Sequence, residues 1–160
     1  MVQTRAGYIL LIVCPEDIEL QLGSLGEIKL QKGAYLYVGS ANLKKPITRV
    51  LRHFNRNKKI HWHIDHLTKK CDSLLALLCF GIDENTLYEI LKSFNKVVPA
   101  VPKFGSTDKI LHKTHLFKLL VRELTAVSSL TEMLVKICSY VEIISISDKY
   151  CFSQALLSQL

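Results

Sequence analysis

The strongest constraint on this chain is an unbroken apolar run from Tyr8 to Cys14, closed by Pro15-Glu16-Asp17. The run is too short to cross a bilayer. Arg5 ahead of it imitates a weak signal peptide, but Pro15-Glu16-Asp17 is not a small-residue cleavage site. Residues 7–14 therefore read as a central, buried strand, and the protein as cytoplasmic. A chain of 160 residues fits one domain, with room for a short appendage, and buries a core without disulfides. Its five cysteines, Cys14, Cys71, Cys79, Cys138 and Cys151, are scattered and form no C-x-x-C pair. Free buried thiols in a reducing compartment are expected, not a disulfide framework or a four-cysteine zinc site.

The strand needs partners. Residues 18–22 and 27–31 alternate apolar and polar around Gly23, Ser24 and Gly26, which predicts a hairpin. Further strands are expected at 35–39, 74–80 and 115–121. A helix fits 46–56, with Pro46 in its first turn and Ile47, Val50, Leu51 and Phe54 as its apolar stripe. Another fits 84–95, capped by Asp83. Residues 99–113 read as loop. The last forty residues suggest helix, strand (141–147) and helix, either as an added subdomain or as an extension of the sheet. The fold class is α/β: a small, mostly antiparallel sheet flanked by helices. Residues 1–120 form the main domain and 121–160 a C-terminal extension of unassigned role.

Charge narrows the partners. The chain carries 21 Lys and Arg against 14 Asp and Glu, a formal charge of +7. From Lys44 to Lys70 the imbalance is sharper, with Asp65 the only acid among nine basic residues and four histidines. On the predicted helix, Arg49, Arg52, His53 and Arg56 form a wholly basic stripe opposite the apolar one. Such a helix docks one face on the core and offers the other to phosphates. The candidate nucleic-acid contacts are Lys44, Lys45, Arg52, Arg56, Lys58, Lys59, His61 and His63. The plainer reading is a solvated helix face. A membrane-surface helix fits less well, because the apolar side lacks a bulky wedge.

Several phrases fall in a particular order: GYILLI at 7–12, YVGSA at 37–41, ITRVLRHF at 47–54, HWHID at 61–65, ENTLYEIL at 84–91, FGSTD at 104–108 and THLF at 114–117. This ordered set, across residues 6–118, resembles the GIY-YIG nuclease superfamily. It is most similar to a small prokaryotic branch that carries an HWHID motif and is sometimes fused to endonuclease III-type repair proteins. The chain departs from that branch in two places. Ala6 stands where glycine is frequent. Lys109, Ile110, Leu111 and His112 stand where cysteines often follow the G-S-x-D phrase.

The resemblance implies a metal-dependent DNA endonuclease, structure-selective and repair-linked, with a non-catalytic nucleic-acid-binding module as the alternative. Tyr37 would be the general base and Tyr8 its partner. Arg49 and His53 would supply a positive field on one helical face, and Glu84 would bind Mg²⁺ or Mn²⁺. A tyrosine with an ordinary pKa near 10 is a poor base at neutral pH, so its phenolate needs nearby cations or metal. Each residue also has a plainer reading. Tyr8 and Tyr37 could be packing residues with a wet hydroxyl, Arg49 and His53 surface charge, and Glu84 a complement to a helix N-terminus. His61, His63 and Asp65 alternate with Trp62 and Ile64, as on a strand with one polar face. They are expected to be structural or to position substrate, with a transition-metal site as the lesser alternative. His115 reads as structural. The hydrophobic C-terminal segment is also a candidate surface for a protein partner or an oligomer.

Overall fold

A computed structural model of the protein describes residues 4–145. Its centre is β1 (Ala6–Cys14), the apolar run, paired antiparallel with β4 (Gly33–Ser40) on one side and β5 (Asp72–Phe80) on the other. The sheet grows outward from β4 through β7 (Leu116–Leu119) to β6 (Val97–Pro99), and from β5 to β8 (Tyr140–Ser145). All of its ladders are antiparallel. The expected C-terminal strand thus extends this sheet. The expected last helix, residues 146–147 and Cys151 lie outside the described residues.

Both faces of the sheet are covered, which is why β1 can be apolar throughout. Ile9 and Leu11 face α3 (Glu84–Ser93) and α4 (Glu123–Ile137), which bury Leu87, Leu91, Leu130 and Leu134 there. Tyr8, Leu10 and Ile12 face the opposite layer. That layer holds α1 (Ile47–Phe54), α2 (His63–Lys70) and the expected hairpin, β2 (Ile18–Leu22) with β3 (Gly26–Leu30). Asp83 caps α3, its carboxylate accepting from Thr86 N at 2.9 Å. Among the described residues, no helix is long and apolar enough to cross a membrane.

Three expectations fail here. HWHID is not a strand: it runs into the first turn of α2. The buried Asp65 carboxylate accepts from the backbone N–H groups of His61 and Trp62, at 2.9 and 3.0 Å. That capping starts a helix in which Ile64 and Leu67 share a buried face, and the alternation in the sequence is incidental. The wholly basic stripe of α1 also fails, because His53 is buried with only 1% of its surface exposed. Finally, Cys14 and Cys71 are not free thiols. The end of β1 meets the C-terminus of α2 at a Cα–Cα distance of 4.6 Å, and the two cysteines form a buried disulfide. Cys79 and Cys138 are free.

Candidate active site

The β1–β4 register places Tyr8 opposite Gly39 and Leu10 opposite Tyr37, so both tyrosines emerge on one face with ring centroids 6.3 Å apart. Gly39 makes this possible, since a Cβ there would lie 2.2 Å from the Tyr8 ring. Gly105, from the loop after β6, has φ +70° and abuts the Tyr37 ring, where a Cβ would come within 2.8 Å. These two positions require glycine, one for space and the other for space and backbone conformation.

His53 of α1 closes the tyrosine pair from above, its Nε2 2.6 Å from the Tyr8 hydroxyl. Burial, and then the Lys58 ammonium, lower the His53 pKa to about 3. It is therefore a neutral imidazole and not a member of a wholly basic stripe. Burial raises the pKa of both tyrosines. Tyr37 adds to the effect at Tyr8, and Glu84 at Tyr37, while Arg49 opposes the shift at both. Neither tyrosine is a phenolate near neutral pH in this environment.

Tyr8, Tyr37, Arg49, Glu84 and Asp108 converge on one cavity of about 160 Å³, with Trp62 also in its wall. An adjoining space of about 280 Å³ shares Tyr37, Trp62 and Asp108 and adds His61 and His63. The Arg49 guanidinium stacks 4.4 Å from the Trp62 ring centroid, which holds it at the cavity wall. Glu84 sits in the first turn of α3, half sheltered, and burial raises its pKa against the pull of Lys109. Its Oε1 is 3.4 Å from Nδ1 of the buried His115, and its Oε2 is 3.6 Å from Lys109 Nζ. Behind it, His115 Nε2 meets His112 Nδ1 at 2.8 Å, and His112 stacks on Tyr88 at 3.9 Å between centroids.

The basic segment divides. Arg52 pairs with Asp65 at 2.8 Å, Arg56 pairs with Asp72, and Lys58 is buried with its ammonium 2.5 Å from Thr68 Oγ1. These three hold α1 and the segment after it to α2 and β5, and their charges are already engaged. Lys44, Lys45, Lys59 and His61 are exposed, and His63 is half-buried, accepting from Gly105 N at 3.2 Å. Asp108 and Trp62 are cavity residues that sequence reasoning did not single out, although each sits in a phrase that carries the resemblance. A tryptophan set among histidines and lysines was the available signal.

A hard divalent cation fits these groups. Glu84 is a carboxylate poorly solvated by its surroundings, and Asp108 offers a second oxygen donor to the same cavity. Among the described residues there is no cluster of three or more His, Cys, Asp or Glu that could hold a metal ion of any kind. One or two carboxylates with retained water is the donor set that Mg²⁺ takes. The sequence matches a family model described as a domain of unknown function, DUF123, over residues 7–137. No curated protein and no solved structure matches the chain.

Proposed function

Because the chain belongs to the DUF123 family, which is GIY-YIG-like, we propose that it is a metal-dependent DNA endonuclease that hydrolyses phosphodiester bonds. The observation that carries this reading is the convergence of Tyr8, Tyr37, Arg49 and Glu84, from four separate elements, on one cavity. Glu84, with Asp108 beside it, would hold Mg²⁺ or Mn²⁺. Such an ion polarises the scissile phosphate and neutralises charge on the leaving oxygen.

The chain's own groups then divide the work. Tyr37, which lines both adjoining spaces, would take the proton from the attacking water as its phenolate, formed when Arg49 and a bound cation favour loss of its own proton to solvent. Tyr8 is fixed by its bond to the neutral His53 and orients that water. Arg49, braced on Trp62, binds a non-bridging phosphate oxygen. The exposed Lys44, Lys45 and Lys59 lie in the same basic segment and draw the strand in by long-range attraction.

One observation favours a second reading, a module that binds nucleic acid without cutting it. Both tyrosines are held protonated by burial, with Glu84 adding to the effect. Labelled duplexes, flaps and junctions incubated with and without Mg²⁺ or Mn²⁺ separate the two. Metal-dependent cutting that Tyr37→Phe and Glu84→Ala both abolish, with binding retained, supports the nuclease. Salt-sensitive binding without cutting of any substrate refutes it in favour of the module.

A further inference from the structure

The loop between β6 and β7 supplies Gly105 and Asp108 to the cavity and Lys109 to Glu84. At its tip, Ile110 is 93% exposed and Leu111 88% exposed, the two most exposed large hydrophobic residues among those described. Adjacent aliphatic side chains this bare cost solvation free energy and contribute nothing to the core.

The tip is also held in place. Lys103, in the left-handed region at φ 60°, turns its ammonium onto the carbonyls of Lys109, Ile110 and His112, at 2.9, 3.2 and 3.1 Å. The buried Ser106 hydroxyl donates to His112 O at 3.2 Å, and Lys113 N donates to the Tyr88 hydroxyl at 3.1 Å. Pinned on both sides, the pair is presented outward as a fixed apolar point two residues along the loop from Asp108 of the cavity wall. The exposed Lys113 flanks it with free positive charge, and Lys109 on the other side turns its ammonium to Glu84. Positive charge beside an aliphatic tip suits a polyanion whose interior is apolar, which is the construction of a stacked nucleic acid.

We propose that Ile110 and Leu111 form a wedge that inserts at an unpaired, mismatched or branched step of DNA and so directs the neighbouring cavity to distorted sites. This rests on the nucleic-acid reading above and adds a substrate class to it. Unstacking a perfect duplex costs a few kcal/mol per step, and an already open step costs less, so the wedge discriminates in favour of the open one.

The test is binding of the full chain, in chelator without metal, to two duplexes of equal length. One is fully paired and the other carries a central mismatch or flap, each with 2-aminopurine at the central step. The wild type should bind the distorted duplex more tightly and raise its fluorescence. The double variant Ile110→Ser, Leu111→Ser changes only exposed side chains. It should lose that preference by on the order of tenfold, with binding to paired duplex little altered. An unchanged preference and fluorescence in the double variant would overturn the wedge. So would absence of DNA binding by the wild type, or a concentration-dependent self-association that the double variant removes, which would make the tip a protein contact. Because this binding test does not read cleavage, a wild type that gives the wedge signal here yet cuts no substrate in the metal-containing assay above would sink the nuclease reading and leave the wedge standing.

Discussion

Acid should destabilise this fold through one imidazole. His53 is packed against Tyr8 and faces Lys58, Arg49, Arg52, Tyr37 and Asp65. Burial and three of those cations lower its pKa from 6.5 to about 3, and only Asp65 pulls the other way. A folded-state pKa below the unfolded one means that the unfolded chain binds the proton first. The stability is therefore complete above about pH 6.5 and is lost as pH falls toward 3. At about pH 5 the loss relative to about pH 7 comes to about 2 kcal/mol from His53 alone. Other groups also titrate in that window, His115 among them with a pKa lowered to about 4 by burial, so wild type must be compared with a variant. His53→Gln keeps a polar partner for Tyr8 and does not titrate. Urea denaturation of both proteins at the two pH values gives the difference directly. The wild type should lose about 2 kcal/mol more than the variant over that interval. Equal losses would mean that His53 is solvated or charged in the folded state, and the account of the site's electrostatics would be wrong.

Other expectations follow from the same contacts. Cys14 and Cys71 close a loop with a sequence separation of 57, so Cys71→Ser should cost roughly 4 kcal/mol in urea denaturation under non-reducing conditions. Thiol titration of the unfolded wild type should find these two blocked until reductant is added. Gly39→Ala drives a methyl into the Tyr8 ring, and a thermal melt should show a loss of about 1–3 kcal/mol. Asp65→Asn removes the charge that Arg52 needs and weakens the start of α2. A loss of about 3 kcal/mol is expected, and Arg52→Met in the same background should recover part of it. If the protein cuts DNA, the rate should rise with pH through neutrality, because burial raises the Tyr37 pKa. A pH-independent rate would remove Tyr37 from the role of base.

The site was legible in the sequence to different depths. The two strands, the helix after YVG and the helix that Glu84 opens could be read from spacing and punctuation, while the choice of Tyr8, Tyr37, Arg49 and Glu84 on them came from the resemblance. The structure brings Tyr8, Tyr37, Arg49 and Glu84 to one cavity. Asp108 and His115 were not assigned to it. A loop residue's direction depends on a backbone turn at Gly105 and Lys103 that no periodicity announces. Arg52, Arg56 and Lys58 looked like phosphate ligands because their partners, Asp65, Asp72 and Thr68, lie 13, 16 and 10 residues away. Of these, only Arg52 and Arg56 meet a carboxylate directly, while Lys58 turns to the Thr68 hydroxyl.

The sequence by itself determined where most strands and helices run, α2 and the short β6 excepted, since that depends on local periods: two along β2 and β3, 3.6 along α1, and uninterrupted apolarity along β1. It failed on HWHID, where alternation and a helix start compete and the Asp65 side chain decided between them. Only the tertiary structure decided which charges are buried and which cysteines meet. His53 follows the same helical spacing as Arg49, but it lies beneath the layer formed by α1 over β1 and β4, and burial removes its charge. Cys14 and Cys71 are joined because the end of a strand and the end of a helix arrive at one place. Local pattern fixes the direction of a side chain relative to its own element. What waits at the end of that direction is set by residues far along the chain, through packing that sequence spacing does not encode.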